Sequence, residues 1–318
     1  MTTVSTYTEV QRRSYDPTNT TALRNLFASD MNRRFKAIMA GIVTGVYKND
    51  CFGLKRGLHT LQVVPPAKEA FAYARSSEKV AKFMEWLQRQ INAELVTVVN
   101  ISQVGTSVES VWMNKYIYDS YKRGVMRARY EMIKQGMQIP SIDDAGGIEI
   151  VMGTPFHLDR VGLLFTRVFS DLKGITEVMD YQISRILAQG MIDGDAPRLL
   201  ARKLVSAIDG TNMGTLGITD TLGRFIPAKR RAEILARTEI IRAHHLATIQ
   251  EYRNWGVLNI EVKAEWKAAG DDRVCNKCSS LEGKIYTLDE IEPMIPLHPQ
   301  CRCIALPYIE ELEKYNIK

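Results

Sequence analysis

The sequence predicts a mainly α protein, an extended multi-helix body followed by a small α+β C-terminal module. Three observations predict it. Apolar residues recur at three- and four-residue steps through the first 255 residues. After Gly256 the period switches to strict alternation. Four of the five cysteines then crowd into residues 275–303. The first pattern belongs to helices with one buried face, the second to a strand with one buried and one solvated face.

Taken in order, Leu23, Phe27, Met31, Phe35, Ile38 and Ile42 line one face of a helix between Thr21 and Lys48. The run Val63 to Pro66 breaks the chain. A second helix starts near Ser77 as its N-cap and buries Val80, Phe83, Met84, Leu87 and Ile91. Thr106 and Glu109 form a capping-box signature ahead of a long helix whose inward side is Val108, Val111, Tyr118, Val125 and Met132. Gly136 ends that helix at C′, where a left-handed backbone meets no Cβ clash. Residues 139–155 read as a linker with a short strand at Ile148 to Val151. Beyond it Ile175, Met179, Ile183 and Ile186 form a stripe closed by Gly190. Asp195 then serves as N-cap, with Pro197 in the first turn of a helix carrying Leu200, Leu204 and Ile208. A glycine-rich connection from Gly210 to Phe225 follows. The last long helix runs from Ala228 to Trp255, with Ile234, Thr238, Ile241, His245, Ile249 and Tyr252 inward and Glu233 and Arg237 as an exposed pair. Three regions result: an N-terminal helical region at 1–140, a second helical region with linkers at 141–227, and a C-terminal module at 228–318.

From Leu258 to Lys267 apolar and polar residues alternate, which makes a half-buried strand. A polar turn, Gly270-Asp271-Asp272, leads to Cys275-x-x-Cys278; a second short strand, Lys284 to Thr287, precedes His298, Cys301 and Cys303. A C-x2-C knuckle puts two thiolates on one side of a tight turn, and a second pair of ligands from a distant turn completes a tetrahedron suited to zinc. So small a unit lacks room for its own core, and a structural metal takes that place. Cys275, Cys278, His298, Cys301 and Cys303 are five candidates for four positions. Cys301 and Cys303, two apart in an extended segment, are expected to point to opposite faces. The favoured set is therefore Cys275, Cys278 and Cys303, with His298 or Cys301 as the fourth. The alternatives are reduced cysteines packed as small hydrophobes, or disulfides formed after leaving a reducing compartment.

A catalytic zinc needs an open position and a carboxylate as general base. Glu282, Asp289, Glu290 and Glu292 stand in no metal-hydrolase spacing, so a closed site is expected and no enzyme is predicted. His244 and His245 point about 100° apart on a helix and cannot share an ion; His245 reads as a core histidine. Asp271 and Asp272 read as the cap of a turn, with Arg273 as local partner.

Composition sets bounds on the rest. The 318 residues are 45% hydrophobic and 25% charged, ordinary for a globular chain. No signal peptide opens the sequence and no stretch reaches 18 uninterrupted apolar residues, so no membrane partner is expected. The net charge of +6 and pI of about 9.0 favour an anionic partner only weakly, because acidic residues are interspersed with basic ones. No strand-borne aromatic motif for single-stranded RNA and no clear helix-turn-helix is present.

The segment ARTEIIRAHHLATIQEYRNWGV, then AEWKAAGDDRVCNKCSSLEGKIYTLDE, then PLHPQCRC resembles the C-terminal half of the phage Mu F-like head morphogenesis family. FMEWLQRQI, VWMNKYIYDSYKRGV and FSDLKGITEVMDYQISRILAQG are similar to the helical region of such proteins. The resemblance covers roughly residues 20–305, with motifs specific from about residue 228 onward. It implies a structural minor capsid protein, located in the capsid interior or at the portal vertex, and in the host cytoplasm during assembly. The implied partners are the portal protein, the major capsid protein and packaged double-stranded DNA. It also implies that Arg237, Thr238 and Glu239 anchor the long helix against the tail module, and that Cys275, Cys278, His298, Cys301 and Cys303 form the metal site. Some relatives carry a toxin-like enzymatic domain after this region; with the sequence stopping at Lys318, none is expected here. The competing expectations are a zinc-supported nuclease and a transient DNA-binding assembly factor. Between Cys275 and Cys303 only Lys277, Lys284 and Arg302 stand against Glu282, Asp289, Glu290 and Glu292, a balance that disfavours a DNA-binding knuckle.

Overall fold

Helix α1 (Thr21–Ile42) continues into a π-helical turn, Val43–Lys48, and all six residues of its predicted face are buried. These elements belong to a computed structural model that describes residues 16–54, 76–103, 106–210, 224–256 and 262–309. The predicted break at Val63 to Pro66, the residues Leu258 and Ile260, and most of the Gly210–Phe225 connection lie outside the described residues. The elements that follow are α2 (Ser76–Leu95), β1 (Val98–Gln103), β2 (Thr106–Val111), α3 (Asn114–Lys134), α4 (Ile148–Met152), α5 (Pro155–Ile192), α6 (Pro197–Asp209) and α7 (Ala228–Gly256). The tail adds β3 (Val262–Lys267), α8 (Asn276–Ser279), β4 (Ile285–Tyr286), α9 (Leu288–Ile291), a 3-10 turn at Glu292–Met294, and β5 (Ile304–Ile309). The predicted class holds: mainly helical, with a small sheet toward the C-terminus. No described helix is long and apolar enough to cross a membrane.

Several local expectations are corrected. Thr106 and Glu109 do not cap a helix; they lie in β2, which pairs with β1. The segment is rich in β-branched residues (Val98, Val99, Ile101, Thr106, Val108, Val111), and that preference outweighs a two-residue capping match. Helix α3 starts only at Asn114. Ile148 to Val151 is helical, one short turn entered from Gly147 at φ +100°. Ser77 lies inside α2, which begins at Ser76. Ala196, not Asp195, caps α6, with Pro197 at its first position as expected. Asp195 instead accepts a 2.6 Å hydrogen bond from Lys203 Nζ one helical layer on. The end of α3 agrees with its prediction: Gly136 takes φ +96°, its N–H donates to Ile133 O and that of Met137 to Met132 O. That pair of bonds is the Schellman arrangement.

The described chain divides into two units, each gathered from separate stretches of sequence. One combines residues 28–98 and 169–233. Its core sets Met31, Phe35, Ile38, Ile42 and Val46 with Phe83, Trp86, Leu87 and Ile91, and with Met179, Ile183, Leu187, Leu200 and Leu204. Phe83 packs its ring 5.4 Å from Phe52 and 5.2 Å from Trp86.

The other unit combines residues up to 27, residues 99–168 and residues from 234 onward. Helix α7 is its axis. The sequence predicts one buried stripe, yet Glu239, His244, Thr248, Gln250 and Glu251 are buried along with it. Helix α3 comes so close that a Cβ on Gly124 would lie 2.3 Å from His244 O. Ser120 Oγ donates to Ile240 O at 2.6 Å across the same contact. A buried polar chain joins three helices: Tyr121 OH is 3.0 Å from His157 Nδ1, His157 Nε2 donates to Glu251 Oε1 at 2.9 Å, and Arg129 Nε donates to Glu251 Oε2 at 2.8 Å. Burial opposes ionisation of Glu251; the His157 hydrogen bond and the Arg129 charge outweigh it and hold the carboxyl below its ordinary value.

The tail sheet has the order β4-β3-β5, all antiparallel, with Trp266 opposite Ala305 and Ala264 opposite Pro307 and Tyr286. Val262, Ala264 and Trp266 face inward, the parity read from the sequence. They share one core with Ala128, Met132 and Met137 of α3 and its C-terminal turn, and with Ile241, Ile249 and Tyr252 of α7. Tyr252 OH donates to Ala305 O at 3.2 Å.

Candidate metal centre

The tail elements cannot hold themselves. Helices α8 and α9 have four residues each and β4 has two. Such pieces are far below the length at which a helix or hairpin is stable alone. Local chemistry shapes each one: Thr287 and Glu290 form a capping box around α9, and Cys275 caps α8, its Sγ accepting from Cys278 N at 3.4 Å. That last bond points the knuckle's two sulfurs to one side. It also lowers the Cys275 pKa, because the N–H favours the thiolate.

His298 meets the knuckle from the far end of the loop. Its Nε2 lies 3.3 Å from Cys275 Sγ and 3.2 Å from Cys278 Sγ. Its Nδ1 donates to Pro299 O at 2.9 Å, which leaves the Nε2 lone pair facing the sulfurs. Cys278 Sγ in turn is 3.9 Å from Cys301 Sγ. Among the described residues two ligand triplets arise, Cys275–Cys278–His298 and Cys278–Cys301–Cys303, each with its ligand atoms within 4.8 Å of one another and both sharing Cys278. The structure thus brings all five predicted candidates together, as free thiols and one imidazole.

One expectation about them fails. Cys301 and Cys303 do not point to opposite faces; both sulfurs join Cys278 and both residues are buried. The alternation argument requires a strand, and β5 begins only at Ile304. Before it the chain turns: Gln300 takes φ +63° and Cys301 N donates to His298 O at 3.0 Å.

The donor set fits a soft dication. Zinc–sulfur bonds of about 2.3 Å arranged tetrahedrally put ligand atoms roughly 3.5–3.8 Å apart, close to the 3.2–3.9 Å separations here. The proton balance fits as well. A hydrogen bond from Cys303 pulls Cys301 down to about 5, while burial and the Cys301 charge push Cys278 up to about 12. Donation to Cys301, with burial, drives Cys303 up too. Crowding of these sulfurs opposes their ionising together, and a bound dication would relieve it.

The remaining predicted positions surround this cluster. Asp271, its side chain 1% exposed, receives both Arg302 guanidinium nitrogens at 2.6 Å and Arg273 Nη2 at 2.8 Å. The Arg302 guanidinium foremost holds the Asp271 carboxyl well below the usual carboxylate range. Asp272 is exposed on the same turn. Thr238 Oγ1 accepts from Gln300 N at 3.1 Å, so α7 grips the turn that carries His298 and Cys301. Arg237 Nη1 donates to Asn25 Oδ1 at 2.8 Å, and Glu239 accepts from Arg242 Nε at 3.1 Å with Arg167 Nε 3.5 Å away. His245, placed in the core by the sequence, is there: Nε2 donates to Ile291 O at 3.2 Å, and burial lowers it to about 4. His244, also buried, is lowered to about 3. Sequence reasoning missed the Arg302–Asp271 fork and the Tyr121–His157–Glu251–Arg129 chain. Neither had a signal in spacing, since their members stand 31 to 122 positions apart.

With this geometry in place, comparison with known proteins adds one match. Residues 181–306 match the family model described as Phage Mu protein F like protein. The suspected family is supported over that span. It holds the whole cysteine–histidine cluster and the ARTE helix, while the likeness read upstream of residue 181 lies outside it. The family points to a phage head morphogenesis or capsid-related protein. No curated protein and no solved structure matches the chain.

Proposed function

We propose that this protein is a structural minor capsid component of a bacteriophage head, acting at the portal vertex and inner capsid during prohead assembly, with zinc closing its C-terminal module. The observation that carries the reading is the coincidence of the Mu F-like match with the cysteine–histidine cluster. Cys275, Cys278 and His298, with sulfur from the Cys301–Cys303 turn, hold the metal. Its role is to fasten the knuckle to that turn, so that short elements present one rigid surface to the portal and major capsid proteins. No enzymatic step is assigned: His298 turns Nε2 toward two sulfurs, which removes it as a general base for a nuclease. Contact with packaged double-stranded DNA is the finer part of the proposal, and the net charge of +6 is its support.

Quantitative mass spectrometry of purified particles, set against the portal and major capsid proteins, tests this. The expected result is a small fixed number of copies per portal ring. Absence from particles together with abundance in infected-cell lysate would overturn the structural role and favour a transient assembly factor or nuclease.

A further inference from the structure

The knuckle itself is acidic, but the fold gathers arginines beside it from five separate stretches of the chain. We infer that the face carrying Arg123, Arg237 and Arg273, over a buried base of Arg24 and Arg302, binds the phosphodiester backbone of double-stranded DNA. This rests on the DNA contact proposed above and gives it a location.

The five are joined by a chain of contacts within one unit of the molecule. Arg123 Nη1 of α3 donates to Asn19 O at 2.9 Å, just ahead of α1, and Arg237 Nη1 of α7 donates to Asn25 Oδ1 at 2.8 Å on α1 itself. Thr238, next to Arg237, holds Gln300 N at 3.1 Å, two residues from Arg302. Arg302 and Arg273 then converge on the Asp271 carboxylate. Arg24 lies beneath: its Nη2 donates to Thr21 Oγ1 at 2.6 Å, and among the described residues its buried Nε has no hydrogen-bond partner. Burial lowers the Arg24 pKa, Asp16 offsets part of that, and Arg302, Arg237 and Arg273 lower it further, as expected of guanidinium groups within electrostatic reach of one another. The acids among them are few and committed. Asp16 caps the start of α1 through Thr21 N at 2.6 Å, Asp271 takes two arginines, and Asp272 is exposed on the same turn. Glu233, one turn before Arg237, brings its own arginine, Arg230, at 2.9 Å. Five guanidinium groups thus stand around three carboxylates, an excess that an added anion relieves. Arg273 is 69% exposed, Arg123 is exposed and Arg237 half-buried, so the excess is open to a partner. A planar guanidinium fork matches phosphate oxygens, and Asp271 and Asn25 hold the forks of Arg273 and Arg237 in place before binding.

Titrating the full chain against a mixed-sequence DNA duplex at several salt concentrations counts phosphate contacts, because the slope of log K on log salt scales with their number. The triple variant Arg123→Gln, Arg237→Gln, Arg273→Gln should flatten that slope by about three, roughly one per arginine. Replacing the same three by Lys keeps the charge and should restore most of the slope. Arg273→Gln alone, at an exposed position, should flatten it by about one and guards against a loss of fold in the triple variant. Lys36→Gln, Arg89→Gln, Lys173→Gln, three exposed cations of the other unit, should leave it unchanged. An equal loss in both triple variants, or an unchanged slope in the arginine one, would overturn this face as the binding surface while the DNA contact itself stands. Tighter binding to polyglutamate than to the duplex would also overturn it and make an acidic protein surface the partner. If the unmutated chain binds no DNA even at low salt, the DNA contact fails as a whole, and the copy number in particles still decides the capsid role.

Discussion

Glu251 and Cys278 are both buried acids against the same helix-and-sheet unit, but the chain treats them differently. Around Glu251 it supplies the balancing groups itself: Arg129, the His157 ring, and Trp255 Nε1 at 3.2 Å. Around Cys278 the near neighbours are other sulfurs and the His298 ring, while Arg302 is forked onto Asp271. The first cluster is complete as a set of side chains and locks α3, α5 and α7. The second gathers soft donors close enough to share one ion, the role proposed for it above. A helical region with long contacts can carry an internal ion pair; in a tail built of two- to six-residue elements, the proposed ion would supply the cross-linking.

Metal removal should have the largest effect and should fall on one side of this comparison. Chelation is expected to erase hydrogen-exchange protection in β3 to β5 and change the fluorescence of buried Trp266, while most of the helical circular-dichroism signal remains. If protection in the sheet survives a strong chelator, packing alone closes the cluster and the contrast disappears.

Next in size is the internal ion pair. Glu251→Gln leaves Arg129 buried without its counter-charge, at a cost of about 3–5 kcal/mol, measured by denaturant unfolding of the metal-loaded chain. A loss below about 1 kcal/mol, the value of an exposed pair, would mean that the network carries no more than surface charge does.

The smallest effect concerns His244 and His245, which belong to the helical side alone. Burial lowers them to about 3 and about 4 from 6.5. Lowered folded values mean that their contribution to stability is complete above about pH 6.5 and is lost as pH falls toward 4 and then 3. The unfolding midpoint should therefore decline through that window, and His245→Gln should flatten part of the decline. An unchanged slope in His245→Gln would show that other groups set the acid response.

In two segments with a strong repeating signal the sequence agrees with the structure residue by residue. The face from Leu23 to Ile42 and the parity of Val262, Ala264 and Trp266 follow from periodicity, because a buried face must recur at the pitch of its element. The clustering of the terminal cysteines and His298 was legible because a knuckle and a late histidine–cysteine turn are local spacings. The β1–β2 pairing was not, since Thr106 and Glu109 satisfy a helix cap and a strand equally well until a neighbouring strand pairs with β2. The orientation of Cys303 was also illegible: alternation holds only inside a strand, and β5 begins just after it, at Ile304.

By itself, then, the sequence determined the buried faces of α1 and β3, where the alternating tail begins and which side chains offer metal-type donors, since each of these depends on neighbours within a few residues. Only the tertiary structure decided that α7 is buried on nearly every side, that Glu251 meets Arg129 and His157, that Thr238 holds the His298 turn, and which sulfurs face the imidazole. Those contacts join residues that are distant along the chain, and a hydrogen bond or an ion pair acts through a few ångströms of space whatever the separation in sequence.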